Sequence, residues 1–225
     1  HLDFMIFLLA ATLAMALCHN VTPVCDAEPE AESGKGKSPL PAVTYQASSP
    51  DEIAIVKWTE AVGMTLVQRD RDSMTVRIVD YPVHFDILHV FPFTSESKRM
   101  GIIVRERETG DITFFEKGAD LVMGKIVAAN DWLDEECDNF AREGLRTLVV
   151  ARKRLSSEQY EAFAAAYQEA RVAIQDRAGK QQAAVAAHLE HDMELLGVTG
   201  VEDKLQDDVR GTLELLRNAG IKVWM

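Results

Sequence analysis

Short runs with a two-residue period dominate the middle of this chain of 225 residues. The runs are rich in β-branched and aromatic residues and lie at 74–79, 83–91, 100–105 and 112–116, which is typical of strands. Thr109-Gly110-Asp111 supplies a turn between the last two. Because no helical stretch separates the runs, the segment predicts an antiparallel meander, in which Pro92 bends or ends the run before it.

Helical patterns flank these strands on both sides. Ser49-Pro50-Asp51-Glu52 has the features of a helix start, within an amphipathic segment at 45–62: a capping Ser, a Pro in the first turn, and acids at the positive end of the dipole. Beyond Gly118 we predict helices at 119–129, 132–143 and, broken near Gly179, across 156–193, with a strand at 145–151. The predicted fold class is α+β, a twisted antiparallel sheet of about six strands with flanking helices.

The last thirty residues have a different pattern. They indicate a strand at 195–201, a helix at 204–218 and a strand at 221–225, which is a partial Rossmann-like βαβ unit. We therefore divide the chain into one domain at 1–194 and the beginning of a second at 195–225.

An apolar run at 4–17 precedes everything else. It is shorter than the roughly 20 residues that span a bilayer. Ala14-Met15-Ala16 imitates a signal-peptide cleavage site, but Asp3 stands where a signal peptide carries Lys or Arg. We favour a helix buried in the domain; a secreted protein would require processing at Ala16. A chain that begins with His1 is expected to be a fragment.

The charge balance restricts the partners. The net charge of −12 argues against non-specific binding to nucleic acid or anionic membranes, yet a few local cations are enough for a nucleotide site. Residues 26–42 are rich in Pro, Gly, Ser and Glu and predict a mobile loop. The three cysteines form no CxxC pair, so reduced thiols in the cytosol are expected.

One candidate site lies in the segment 91–100, which leaves a strand, forms a polar turn and enters another strand. Phe93 beside Ser95, Lys98 and Arg99 has the components of a purine site, because an exposed ring stacks on a base and nearby cations face phosphates. On this segment alone, a core phenylalanine and a solvated turn are the simpler interpretation.

Two further cations stand at element boundaries. Lys117 precedes Gly118 and Ala119 at a strand-to-helix junction, where small residues let a ligand approach the backbone and a helix N-terminus favours anions. Arg146 begins a strand. A solvated lysine and a structural ion pair, respectively, are the alternatives.

Other polar groups predict no chemistry of their own. Glu202-Asp203-Lys204 is explained as a helix cap, and His19 after Cys18 lacks the second ligand pair that zinc requires. No Ser-His-Asp, HExxH or Walker pattern occurs in the sequence.

Taken in order, six segments resemble the type-IV P-type ATPases, the phospholipid flippases. They are 17–24 (LCHNVTPV), 45–52 (YQASSPDE), 91–100 (FPFTSESKRM), 117–119 (KGA), 144–147 (GLRT) and 200–206 (GVEDKLQ). The sequence of 91–100 and the closing GIKVWM are most similar to those of the Neo-type, class-2 branch, which acts without the usual accessory subunit. The resemblance covers roughly residues 15–225.

The resemblance implies that residues 1–194 are a cytosolic ATP-binding domain and that 195–225 begin the returning phosphorylation domain. By position, Glu52 matches the acidic residue on the adenine side and Phe93 the stacking aromatic. Lys117 matches the lysine of the Lys-Gly-Ala motif and Arg146 the arginine that reaches the phosphates. Ser95 and Lys98 are expected to line the pocket. The resemblance therefore favours a nucleotide site over the structural interpretations that each segment favours when it is considered alone.

The resemblance also implies what this chain lacks. The phosphorylated aspartate of an Asp-Lys-Thr-Gly-Thr motif and the carboxylates that bind Mg²⁺ are expected outside it, so no catalytic or metal residue is predicted here. The expected partners are ATP, the rest of the same polypeptide and, for the whole protein, a phospholipid. The expected location is the cytosolic side of Golgi or endosomal membranes. A cation-transporting P-type ATPase fragment and a non-catalytic nucleotide-binding regulator remain the alternatives.

Overall fold

The computed structural model describes residues 2–25, 43–204 and 207–224. Its centre is one sheet whose seven strands lie side by side in chain order, each antiparallel to the next. The strands are β3 (Met64–Arg69), β4 (Ser73–Ile78), β5 (Tyr81–Phe91), β6 (Arg99–Glu106), β7 (Ile112–Gly118), β8 (Arg146–Leu155) and β9 (Glu194–Val201). The predicted α+β class and meander are confirmed, with seven strands in place of about six.

The strand β9 corrects the prediction for the end of the chain. It pairs with β8 in antiparallel register, for example Val149 opposite Val198, so it completes the main sheet and does not open a βαβ unit. Two helices lie between β8 and β9, whereas a βαβ unit joins two parallel strands through a crossover connection. Residues 221–224 form no strand, and no Rossmann-like unit is present in the residues that the structure describes.

The helices and a small second sheet surround the seven strands. The helices are α1 (Leu2–Leu17), α2 (Pro50–Ala61), α3 (Asp120–Met123), α4 (Leu133–Arg142), α5 (Ser157–Val172), α6 (Arg177–His188) and α7 (Val209–Asn218). Two short strands, β1 (Thr22–Cys25) and β2 (Val43–Gln46), pair antiparallel. The sequence prediction had missed β2, because it extended the helical pattern back to residue 45, and it made α3 too long.

The break between α5 and α6 also differs from the prediction. It lies at 173–176, and Gly179 is inside α6. Asp176 adopts a left-handed conformation, with φ of 47°, and its carboxylate accepts a hydrogen bond from the Gly179 backbone N–H. A Cβ at residue 179 would meet that carboxylate at 2.4 Å, so this glycine permits a helix cap and does not end the helix.

Two apolar cores lie on opposite faces of the sheet, because successive strand residues point to opposite sides. Phe115 contributes to the core beneath α1 and α2. Phe114, its neighbour, contributes to the core beneath α4, α5 and α6. The alternation places every functional residue of β7 on a defined face.

Helix α1 is buried only in its second half. Ala14, Ala16 and Leu17 are fully buried, whereas Met5 and Leu9 are at least half exposed. The predicted buried helix is thus confirmed for its second half. No helix in the described part of the chain is both long and apolar enough to cross a membrane. The loop predicted at 26–42 lies outside the described residues.

Candidate functional site

The first turn of α2 connects two of the predicted cations through neighbouring carboxylates. Glu52 Oε1 lies 3.2 Å from Lys117 Nζ, and Asp51 Oδ2 lies 3.2 Å from an Arg146 guanidinium nitrogen. Pro50 in the first turn fits the start of a helix. Ser49 stands at the predicted N-cap, although its side chain makes no capping hydrogen bond. The structure therefore pairs Glu52 with Lys117, and the neighbouring Asp51 with Arg146.

Lys117 is buried rather than solvated. Only 4% of its side chain is exposed, which removes the alternative of a lysine in water at the sheet edge. An ammonium group has three donors, yet its Nζ makes no hydrogen bond with the described residues beyond its ion pair with Glu52. An uncommitted buried ammonium is suited to an anionic or hydrogen-bond-accepting ligand.

The turn after α1 holds the Glu52 carboxylate from the other side. The Asn20 backbone N–H donates to Glu52 Oε2 at 3.3 Å. Arg69 donates to His19 Nδ1 at 2.9 Å and also to the His19 carbonyl oxygen. Burial, with the Arg69 charge, lowers the pKa of His19 to about 3, so the ring is neutral, with Nδ1 accepting and Nε2–H donating to Ala16 O at 2.8 Å.

The roles of His19 and Arg69 had not been predicted. His19 had been considered only as a metal ligand, and Arg69 ends β3, fifty residues away in the chain. Cys18 belongs to the same cluster: burial raises the pKa of its thiol to about 12, and its Sγ lies 3.5 Å from the Met100 carbonyl oxygen. The only sequence signal was a polar Cys-His pair directly after an apolar helix.

Phe93, Ser95 and Lys98 lie in the connection between β5 and β6. Phe93 is 57% exposed, so the core-phenylalanine alternative is wrong. The Lys98 carbonyl accepts a hydrogen bond from the Ala119 N–H at 3.0 Å, which places this loop beside the end of β7. Among the described residues, no side-chain hydrogen bond or ion pair joins these three residues to Glu52, Lys117 or Arg146.

Close contacts within the protein explain why residue 118 is a glycine. A Cβ at this position would lie 2.6 Å from Arg99 Cβ and 2.8 Å from the Lys98 carbonyl oxygen. The absent side chain thus lets β7 approach the loop that carries Phe93, and the sequence argument from ligand access is not needed to explain it.

Arg146 is exposed, with 59% of its side chain accessible. Its second partner is Asp203, at 3.5 Å. Asp203 had been predicted to cap a helix starting at 204, but α7 begins at Val209, so it is no cap. Exposed ion pairs are weak, which leaves the guanidinium available to a competing anion.

Comparison with known proteins gives the chain its relatives. No protein-family model matches it. It is 59% identical to a probable phospholipid-transporting ATPase IIB of Danio rerio over 223 residues, which are 96% of this chain and 20% of the relative. It is 51% identical to the phospholipid-transporting ATPase NEO1 of Saccharomyces cerevisiae over 215 residues, 95% of this chain and 18% of that protein. A phospholipid-transporting ATPase IH of Mus musculus is 39% identical over 94% of the chain and 18% of the relative.

These matches confirm the predicted resemblance: the chain aligns over nearly its whole length with a segment of proteins named phospholipid-transporting ATPases. Within that class its similarity is to the NEO1 and ATPase IIB type, at 51–59% identity against 39% for the IH protein. The chain spans about one fifth of the length of the relatives it matches.

Proposed function

We propose that this chain is the ATP-binding part of a phospholipid-transporting ATPase. The observation that carries the proposal is Lys117, a buried ammonium with uncommitted donors, one strand end away from an exposed aromatic loop. The acidic turn of α2 links it to Arg146. A purine triphosphate needs a stacking surface, cations for the phosphates and a hydrogen-bonding group for the base edge, and these residue types lie around one end of the sheet.

Each residue has a proposed role. The Phe93 ring stacks on adenine, and the Glu52 carboxylate lies on the adenine side, where the Asn20 N–H and Lys117 hold it. Lys117 and Arg146 donate to the ligand's phosphate end. Ser95 and Lys98, both exposed, line the entrance. In this proposal, side-chain donors bind the phosphates and one aromatic ring binds the adenine, without a glycine-rich phosphate loop.

Mg²⁺ is proposed to reach this site only with the nucleotide, where it would neutralise phosphate charge. The described residues contain no group of three or more His, Cys, Asp or Glu side chains placed to hold a metal. In the whole protein, we propose that this part lies on the cytosolic side of Golgi or endosomal membranes and carries ATP to an aspartate elsewhere in the polypeptide. Phosphorylation of that aspartate would drive phospholipid translocation across the membrane. Positioning and electrostatics supply most of the catalysis in phosphoryl transfer. The chain by itself should bind ATP without turnover.

The proposed division into a nucleotide-binding domain and the start of a phosphorylation domain needs one adjustment. A boundary at 194/195 would cut the sheet between β8 and β9, which are hydrogen-bonded along their length. We therefore propose that the change of domain follows β9, in the segment that leads to α7. Helix α7 has no buried residue, which supports assigning it to the second domain.

The test is calorimetry of the chain with ATP, adenosine and inorganic triphosphate. Phe93→Ala should weaken ATP binding by about 1–3 kcal/mol, the value of a lost base stack. Tyr81→Ala removes an exposed ring at the other end of β5 and should change nothing. An affinity for ATP that is unchanged in Phe93→Ala would show that the adenine is misplaced.

The phosphate end is tested separately. Lys117→Ala should cost roughly 1.5–3 kcal/mol of ATP binding, the value of a charge-assisted hydrogen bond, with little change for adenosine. Equal losses for ATP and adenosine would contradict the phosphate assignment. A wild-type chain that forms a phosphoenzyme would contradict binding without turnover, and one that binds no nucleotide would favour a regulator that only retains the fold.

A further inference from the structure

A second buried charge cluster lies on the face of β7 opposite Lys117. Arg99 makes a two-point contact with Glu190, at 2.8 Å and 2.7 Å, and its Nε lies 3.4 Å from Glu116 Oε1. The three side chains are 13%, 6% and 2% exposed, in the order Arg99, Glu190, Glu116. The cluster joins three elements: the start of β6, the end of β7 and the turn after α6.

The cluster carries fewer charges than two ionised glutamates and one arginine would give. Burial is the largest cause that raises the pKa of Glu116, and the Glu190 charge adds to it, so the value reaches about 9. Glu116 is therefore protonated at neutral pH and available to donate to Glu190. Burial opposes the charge on Arg99, but the hydrogen bond and charges of its acidic neighbours outweigh it and raise the Arg99 pKa. One cation and one anion remain, held face to face.

Arg99 also holds the loop that carries Phe93. Its guanidinium donates to the Ser97 carbonyl oxygen at 3.0 Å, and the Ser97 hydroxyl donates to the Arg99 carbonyl at 3.3 Å. Thr94 closes the turn from within, since its hydroxyl oxygen accepts from the Ser97 N–H at 3.0 Å.

The backbone of this loop needs such support. Lys98 adopts a left-handed conformation, with φ of 52°, which is uncommon for a residue with a long side chain. Strained conformations persist where the surrounding structure over-determines them. Here the surroundings are the Ala119 N–H on the Lys98 carbonyl, the missing Cβ of Gly118 and the Arg99 guanidinium on Ser97.

We propose that Arg99, anchored by Glu116 and Glu190, is a positioning residue that fixes the 92–98 loop and so sets the affinity for the base. It does not touch the ligand in this proposal; it acts through the placement of the Phe93 ring. The inference rests on the proposed function, because it assigns a role to the loop only if Phe93 stacks on the nucleotide.

The experiment is a double-mutant cycle on the whole chain. Arg99→Lys keeps the charge but loses the fork that contacts Glu190 and Ser97 together. It should weaken ATP binding by roughly tenfold, within the fold-change of a lost base stack, and leave the affinity for inorganic triphosphate unchanged. Phe93→Ala with Arg99→Lys should bind ATP no more weakly than Phe93→Ala alone, because residues that act through one another are not additive.

Two other variants keep the test independent of folding. Glu190→Gln removes the anion at similar size and should repeat the Arg99→Lys pattern. Arg107→Lys alters a comparable guanidinium–carboxylate contact, 2.7 Å to Asp86, at the other end of β6, and should leave ATP binding unchanged.

The outcomes separate the two proposals. Additive losses in the cycle, an equal loss of triphosphate binding, or ATP binding by Arg99→Lys and Glu190→Gln at the wild-type affinity would overturn the positioning role alone. Unchanged ATP affinity in Phe93→Ala would overturn the nucleotide assignment and this inference with it.

Discussion

Glu116 and Lys117 are neighbours in β7, and the comparison between them sets a structural charge cluster against the residue that we propose to bind phosphate. Each is almost fully buried, and they point to opposite faces of the sheet. Glu116 Oε1 lies 3.4 Å from Arg99 Nε, and its Oε2 has no hydrogen-bond partner among the described residues. Lys117 Nζ lies 3.2 Å from the Glu52 carboxylate and has no hydrogen-bond partner there either. The two residues therefore differ in their ion-pair partners, which are an arginine already held by Glu190 for Glu116 and a single carboxylate for Lys117.

The two faces also differ in what surrounds the charge. On the Lys117 side, Arg69, His19 and Asn20 lead to the Glu52 carboxylate, and His19 is kept neutral. On the Glu116 side a protonated acid leaves one cation and one anion paired. With Lys117 and Arg69 against Glu52, the first arrangement has a net positive charge, whereas Arg99 and Glu190 balance each other in the second.

The largest expected effect lies on the Lys117 face. Lys117→Met keeps an unbranched side chain of nearly the same length but leaves the Glu52 carboxylate, 11% exposed, without its cation. Removal of one partner from a buried pair costs roughly 3–5 kcal/mol, so the free energy of unfolding in urea should fall by that amount. Replacing both partners, in Glu52→Gln with Lys117→Met, should recover most of it.

The control for this comparison is an exposed pair of the same kind. Arg107→Met breaks the contact with Asp86, in which the side chains are 52% and 38% exposed, and should cost no more than about 1 kcal/mol. If Lys117→Met were as mild as Arg107→Met, the buried ammonium would not be an ion-pair partner in the folded protein.

A smaller effect, with a pH dependence of known sign, is expected on the Glu116 face. Its ordinary pKa is 4.5, and the folded value is raised to about 9. Between these values the unfolded chain releases the proton and the folded protein keeps it, so the folded state binds more protons. The free energy of unfolding of the wild type should therefore fall as pH rises through this window.

Glu116→Gln mimics the protonated acid and removes the titration. Its stability relative to the wild type should grow by on the order of 1–3 kcal/mol between pH 6 and pH 8, measured by urea unfolding at each pH. A relative stability that is constant over this range, or that shrinks, would mean that Glu116 is ionised in the folded protein.

The sequence predicted the parts of this molecule that depend on local pattern. The two-residue period between 65 and 117 predicted the meander, and Thr109-Gly110-Asp111 its turn, where Gly110 has a positive φ of 77°. The placement of β9 could not be read from period alone, because a strand pattern does not say on which side it pairs.

The candidate residues show the same limit. Phe93, Lys117 and Arg146 were proposed because they stand at strand boundaries within segments that resemble a known family. The contacts of His19 with Arg69 and of Arg99 with Glu190 were not predicted, because they join residues 50 and 91 positions apart and leave no local spacing. The glycine of Lys-Gly-Ala was explained by the approach of a ligand to the backbone. In the structure, the close neighbour that it accommodates is Arg99.

The smallest effect on stability, and the sharpest contrast with Lys117, is expected for Arg146. Arg146→Gln loses contacts with Asp51 and Asp203, but the arginine is 59% exposed and Asp203 80% exposed. The free energy of unfolding should change by less than about 1 kcal/mol, while ATP binding should weaken by roughly 1.5–3 kcal/mol because a charge-assisted contact to phosphate is lost.

The control is Arg210→Gln, which removes an exposed arginine from α7 and should affect neither quantity. Because salt screens a contact between exposed charges, the loss of ATP affinity should also diminish as salt is raised. A stability loss as large as that of Lys117→Met, or an equal loss of adenosine binding, would make Arg146 a structural residue and remove it from the site.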